Sequence, residues 1–201
     1  MAKKKKISTK TPKVFELTIT LKDTYPLVWR KILTHDFIAL DELHMLIQIT
    51  MGWDNTHPYD FEINKKIYTD RKYADVMKAV AIDEIQLGNV INGKKKFFYT
   101  YDFGDCWVHE IKISKILNHD PRMNYPACIA GENACPPEDC GGFPGFKNLK
   151  STLAGKDSQE KDELLTWLGG FYNPTTFDPN FVNKYLLWTE NDLDFKPSIK
   201  E

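Results

Sequence analysis

Two aspartates three positions apart anchor the richest chemical segment of the chain, Tyr101-Asp102-Phe103-Gly104-Asp105-Cys106-Trp107-Val108-His109. If Phe103-Gly104 is a two-residue turn, Asp102 and Asp105 become cross-strand neighbours with Cβ atoms about 5 Å apart. Two ionised carboxylates so placed repel unless one is protonated, a metal ion sits between them, or Arg30 or backbone N–H groups compensate. Phe suits the first position of the usual hairpin turns poorly, which leaves a longer loop as the alternative. Alternation along the following strand puts Asp105, Trp107, His109, Ile111 and Ile113 on one face and Cys106 on the other, which argues against a Cys106–His109 dyad. Asp105 and His109 would stand about 13 Å apart along that strand, lining one groove without touching. The plainer reading makes His109 a hydrogen-bonded histidine at the edge of an aromatic core.

A second group lies between Cys128 and Gly142. Pro136-Pro137 stiffens the backbone ahead of Glu138-Asp139, and Gly141-Gly142 permits a tight return. Rigidly presented acids suit a hard-cation ligand or a general base. They equally suit carboxylates bonded to loop N–H groups. Cys128, Cys135 and Cys140 have spacings of seven and five, unlike the usual zinc knuckle. A three-thiolate site completed by a histidine stands against buried thiols that pack the loop. The third group is His44 and Gln48, four apart on a helix, with Trp53 and His57 just beyond it. Polar groups beside apolar surface suit a ligand groove, while His57-Pro58 also suits ordinary loop chemistry. There is no P-loop, dinucleotide-binding glycine pattern, G-x-S-x-G or H-E-x-x-H.

The elements that must position these groups follow from periodicity. Phe15, Leu17, Ile19 and Leu21 alternate with polar neighbours, predicting a half-buried strand, and Leu27–Leu33 predicts another. Leu40, Leu43, Leu46, Ile47, Thr50 and Met51 fall on one helical stripe, ended by Gly52. Tyr59–Tyr68 reads as a hairpin around Asn64-Lys65-Lys66, and Phe97–Ile113 as a second hairpin. Residues 69–95 are mixed. Pro121 to Phe146 reads as an irregular loop of about 25 residues, a length more often functional than idle. One helix runs to Leu168 before Gly169-Gly170. Another starts at Asp178-Pro179, with Phe181, Tyr185 and Trp188 on one stripe.

The 201 residues carry a net charge of −1 and are 42% hydrophobic and 27% charged, the profile of one soluble globular domain. Lys3, Lys4, Lys5, Lys6, Lys10 and Lys13 crowd the first thirteen positions, and without them the charge falls to −7. So acidic a body lacks the broad basic face that duplex DNA demands. Residues 1–13 read as a disordered basic tail, 14–190 as a single α+β domain and 191–201 as a C-terminal tail. The domain is expected to be an antiparallel sheet of hairpins packed with a few helices. No apolar run reaches membrane-spanning length and no secretory leader is visible, so a cytoplasmic location with reduced thiols is expected.

Several motifs together resemble one family. They are Val28-Trp29-Arg30, Leu43-His44 with Gln48, Met51-Gly52-Trp53 with His57, and Tyr101–Asp105 with Trp107 and His109. Ala134–Asp139 with Gly141-Gly142, Phe177-Asp178-Pro179 and Asn183 complete the set. Their order and spacing resemble the plasmid ORF-three-like family first named from an Ri plasmid, also labelled insertion-element passenger or TnpR-like, over roughly residues 14–190. The resemblance implies an α+β domain and no assigned activity, and no recombinase constellation accompanies it.

The residues favour a binding or regulatory module. Its groove would use Arg30, His44, Gln48, Trp53, His57, Asp102, Asp105, Trp107, His109, Glu138 and Asp139 to take a small ligand or a protein segment. The alternative is a metal-dependent hydrolase with Asp102, Asp105, His109, Glu138 or Asp139 as ligands and base, the cofactor being a divalent metal. A third reading is nucleic-acid binding through the lysine tail. Against all three stands a structural clasp, in which the acids bond Arg30 or loop N–H groups.

Overall fold

The computed structural model describes residues 12–188. The basic tail up to residue 11, with the nucleic-acid reading attached to it, and the 191–201 tail lie outside the described residues. Lys13 belongs to the fold: its backbone N–H donates to Asp36 and its ammonium to Asn118.

The elements run β1 (Lys13–Leu21), β2 (Trp29–His35), α1 (Leu40–Met51), β3 (Tyr59–Ile63), β4 (Lys66–Thr69), α2 (Arg71–Met77) and β5 (Val80–Ala81). Then come α3 (Leu87–Ile91), β6 (Lys96–Tyr101), β7 (Trp107–Asn118), β8 (Ala127–Glu132), α4 (Gly142–Ala154), α5 (Gln159–Trp167) and α6 (Pro179–Trp188). Among the described residues eight strands make one sheet in the order β5-β4-β3-β6-β7-β1-β2-β8. Neighbours are antiparallel except the edge pair β4–β5, which is parallel, so the sheet is mixed and the fold α+β.

The local expectations for β1 and α1 hold because each rests on one face meeting the core. Leu17, Ile19 and Leu21 of β1 join Leu40, Leu43, Leu46, Ile47 and Met51 of α1 in one apolar cluster. Gly52 ends α1 in the left-handed region at φ 86°, its N–H donating to the Gln48 carbonyl at 2.8 Å. The β3–β4 hairpin turns on Asn64 and Lys65, both left-handed at φ 53° and 64°. On β7, Trp107, His109, Ile111 and Ile113 face the core, as alternation requires.

The 121–146 stretch is not irregular throughout. It holds β8, which pairs with β2 at the sheet edge, and the first turns of α4. Gly131 and Ala130 hide the strand from propensity, yet Gly131 is required: a Cβ there would run into the Phe177 ring. Asn183 of α6 docks on this edge, accepting from the Cys128 N–H at 2.7 Å and donating to its carbonyl at 2.8 Å. α6 buries Val182 and Leu186, while Phe181 stays 46% exposed, so the inward stripe differs from the aromatic one expected. No described helix is long and apolar enough to cross a membrane.

Candidate functional site

Pairing of Tyr101 with Trp107 closes β6–β7 around a five-residue loop, 102–106, and not a two-residue turn. Asp102 and Cys106 sit left-handed at its ends, φ 55° and 58°, and the Cys106 N–H donates to the Asp102 carbonyl at 2.6 Å. The extra residues separate the two aspartates, so the predicted carboxylate pair does not form. Asp102 Oδ1 accepts from the Gly104 N–H at 2.8 Å, whereas Asp105 Oδ2 reaches the other way to the Gly141 N–H at 3.2 Å, ahead of α4.

Asp102 instead meets His57. Its Oδ1 lies 3.7 Å from His57 Nδ1, and the opposite imidazole nitrogen, Nε2, stands 3.1 Å from Asp139 Oδ1 and 3.9 Å from Glu138 Oε2. One ligand atom from each of His57, Asp102 and Asp139 fits within a mutual spacing of 4.8 Å. Glu138 Oε1 accepts from the Asp54 N–H and the Tyr101 hydroxyl, both at 2.9 Å. Partial burial raises the Glu138 carboxyl above the ordinary carboxylate range, against those two donors. Glu138 Oε2 and His57 Nε2 are both buried and lack a hydrogen-bond partner among the described residues. Asp139, with its side chain 71% exposed, forms the open edge.

The loop carrying the two acids is pinned at both ends. Trp53 Nε1–H donates to the Pro136 carbonyl at 2.9 Å, and Gly145 in the first turns of α4 lies against the Cys140 carbonyl. A Cβ on Gly145 would collide with that oxygen. Gly145→Ala is therefore expected to lower stability by about 2–3 kcal/mol through backbone displacement. Urea denaturation checks it: an unchanged midpoint would mean the α4 entry yields freely.

The remaining expected site residues serve elsewhere. His44 stacks on Tyr59 with ring centroids 3.4 Å apart. With Gln48, Tyr99 and Asn55 it closes a ring of hydrogen bonds. The Asn55 N–H donates to Gln48 Oε1 at 3.1 Å, and the Gln48 amide to the Tyr99 hydroxyl at 2.9 Å. That hydroxyl meets His44 Nδ1 at 2.8 Å, and His44 Nε2 meets Asn55 Oδ1 at 2.7 Å. Every polar group of the ring is satisfied, which marks it as structural. Burial lowers the His44 pKa to about 4 and that of His109 to about 3, so both are neutral. His109 and Trp107 flank Trp53 in the aromatic core, with ring centroids 5.4 and 6.2 Å from it.

Among the described residues Arg30 bonds no acid and reaches only carbonyls. The cysteine thiols form no metal-ligating group among the described residues. Cys128 is pushed up to about 11 and Cys135 and Cys140 are also raised, all by burial. The single expected groove thus resolves into a His57–Asp102–Glu138–Asp139 cluster, with Asp105, His109 and Arg30 in other surroundings. Tyr101, which holds Glu138, and Asn55 are not among the site residues the sequence names, although Tyr101 opens the motif that carries Asp102. Tyr101 was findable, because inward alternation of Phe97, Tyr99 and Tyr101 buries a hydroxyl that needs a partner.

Comparison with known proteins points one way. The uncharacterized protein y4hQ of Sinorhizobium fredii is 32% identical over 162 residues, covering 78% of this chain and 81% of that one. The crystal structure of a protein of unknown function, MM3350 from Methanosarcina mazei Go1, shares 29% identity at a TM-score of 0.77, over 86% of this chain and 98% of that one. The model of the plasmid pRiA4b ORF-3-like proteins matches residues 13–181, from the start of β1 into α6. That span contains the whole sheet and every residue of the His57 cluster, so the chain belongs to the plasmid pRiA4b ORF-3-like family.

Proposed function

We propose that this protein is a binding module whose His57 cluster takes one divalent cation of the zinc or manganese kind. The observation that carries the reading is that His57 Nε2 and Glu138 Oε2, buried and 3.9 Å apart, make no hydrogen bond among the described residues, although Asp139 Oδ1 stands 3.1 Å from Nε2. Buried polar atoms without partners are rare in folded proteins, and each one destabilises the fold. Ligands held about 2.0–2.1 Å from a tetrahedral ion stand roughly 3.4 Å from one another. The 3.1 and 3.9 Å separations around His57 Nε2 bracket that value. One imidazole with carboxylate oxygens is a donor set suited to zinc or manganese.

Hydrolysis is the second reading, favoured by the exposed edge at Asp139, where a metal-bound water would meet solvent and be acidified. Elemental mass spectrometry of tag-free protein, with calorimetric titration of ZnCl2 and MnCl2, tests the site. About one equivalent is expected, weakened at least about tenfold in His57→Ala and Glu138→Gln. Absence of uptake by the wild type, or uptake indifferent to both substitutions, overturns the proposal. Turnover of phosphoesters or amides by the loaded protein separates a hydrolase from a binding module.

A further inference from the structure

Arg30 lines a cavity of about 500 Å³ between the C-terminal end of α1 and the start of α6. The cavity shares no lining residue with the His57 cluster, and its volume suits a small organic molecule. Its walls include Met51, Trp53, Cys135, Phe177 and Phe181, a largely apolar and aromatic set.

Arg30 as a residue is only 2% exposed. Its Nε donates to the Thr50 carbonyl at 2.8 Å, and Nη1 to the carbonyls of Trp29 and Glu132 at 2.8 and 3.0 Å. Phe177 covers one face, its ring centroid 3.8 Å from Cζ. Among the described residues Nη2 makes no hydrogen bond and Arg30 forms no ion pair. The ionisable groups that weigh most on Arg30 are Cys135, Cys128 and Tyr172. Burial keeps all three protonated, so none supplies a counter-charge. Asp178 also lines the cavity, but its Oδ1 accepts from the Asn180 N–H at 2.8 Å at the start of α6. Buried charges in proteins are normally paired, and this one has three carbonyl dipoles and no anion.

We propose that the cavity binds a small monocarboxylate with an aromatic or branched apolar body. Its carboxylate would meet the free Nη2 of Arg30 and its body the rings of Trp53, Phe177 and Phe181. One positive charge with one uncommitted NH₂ group matches a monoanion. A dianionic phosphate would leave charge uncompensated beside Asp178.

Benzoate, its neutral isostere benzamide, and phenyl phosphate serve as probes of the full chain, read by calorimetry and by the fluorescence of the lining Trp53. Because Arg30 also supports the fold, the variants are placed at the half-exposed Phe181: Phe181→Gln removes the ring, and Phe181→Glu adds a negative charge at the same volume. Benzoate is expected to bind with a Kd below about 1 mM and at least about tenfold tighter than benzamide. Phe181→Glu should bind benzoate at least about fivefold more weakly than Phe181→Gln. Lack of saturable benzoate binding, equal binding of benzamide, or preference for phenyl phosphate overturns the proposal.

Discussion

Lowering the pH from 7 to 4 is expected to remove about 6 kcal/mol from the free energy of unfolding, before a smaller return from two acids. The cause is two histidines that the fold holds neutral. His44 is committed to its ring of hydrogen bonds, and His109 is fully enclosed, with Nδ1 3.3 Å from the Tyr99 carbonyl. Their folded pKa values, about 4 and about 3, lie below the ordinary 6.5. The unfolded chain therefore binds protons that the native chain refuses, and stability falls as pH drops. The loss begins below about pH 6.5, reaching about 3 kcal/mol for each histidine by pH 4. It levels off below about 4 for His44 and about 3 for His109.

Two acids work in the opposite sense. Burial raises Asp60 to about 6 and raises Glu138, so the native state protonates them first and recovers part of the loss as pH falls. Both are partly exposed and solvent screens them, so the histidines dominate. A loss of this size is a large part of the stability of an ordinary domain. Urea unfolding at pH 7, 6, 5 and 4 measures it, and a flat or rising profile would refute the assignment. His109→Phe provides the internal control. Whatever it does to stability at pH 7, it should flatten the slope between pH 6 and 4.5 by about half.

The sequence reveals those parts of the fold whose signal is local. β1, α1 with its glycine stop, and the Asn64-Lys65 hairpin each express one face against the core or one turn chemistry within a few residues. β8 is opaque because its pattern is set by neighbours. Gly131 answers to Phe177, and Cys128 pairs with Asn183, 55 residues away. The site divides along the same line. His57, Asp102, Glu138 and Asp139 each stand out by residue type in three segments, and the sequence places them in one groove without separating them from Asp105, His109 and Arg30. What unites them is the path of three loops. Residues 102–106 take two left-handed positions that turn Asp102 from Asp105 to His57, a choice hidden behind a sequence that also reads as a two-residue turn. The Tyr101–Glu138 bond spans 37 residues, and no periodicity reports on it.

Replacing Arg30 is expected to lower stability by about 3 kcal/mol, although the residue carries an unneutralised buried charge. Its three acceptors belong to three segments: Thr50 in the last turn of α1, Trp29 at the start of β2, and Glu132 at the end of β8. One planar fork thus ties a helix end to two neighbouring strands, and the cation opposes the negative end of the helix dipole. Arg30→Met loses the guanidinium that lies over the Phe177 ring, and three carbonyls lose their donors, at about 1 kcal/mol or more each. Removing the desolvated cation offsets part of this, which holds the loss below that of breaking a buried ion pair. For a chain of this length the melting temperature should fall by about 6–12 °C. Arg30→Lys should fall between, since one ammonium cannot reach three acceptors in the plane of a fork. A stability equal to or above wild type in Arg30→Met would mean that the buried charge is a net burden. The fold would then retain Arg30 for what it binds and not for what it holds together.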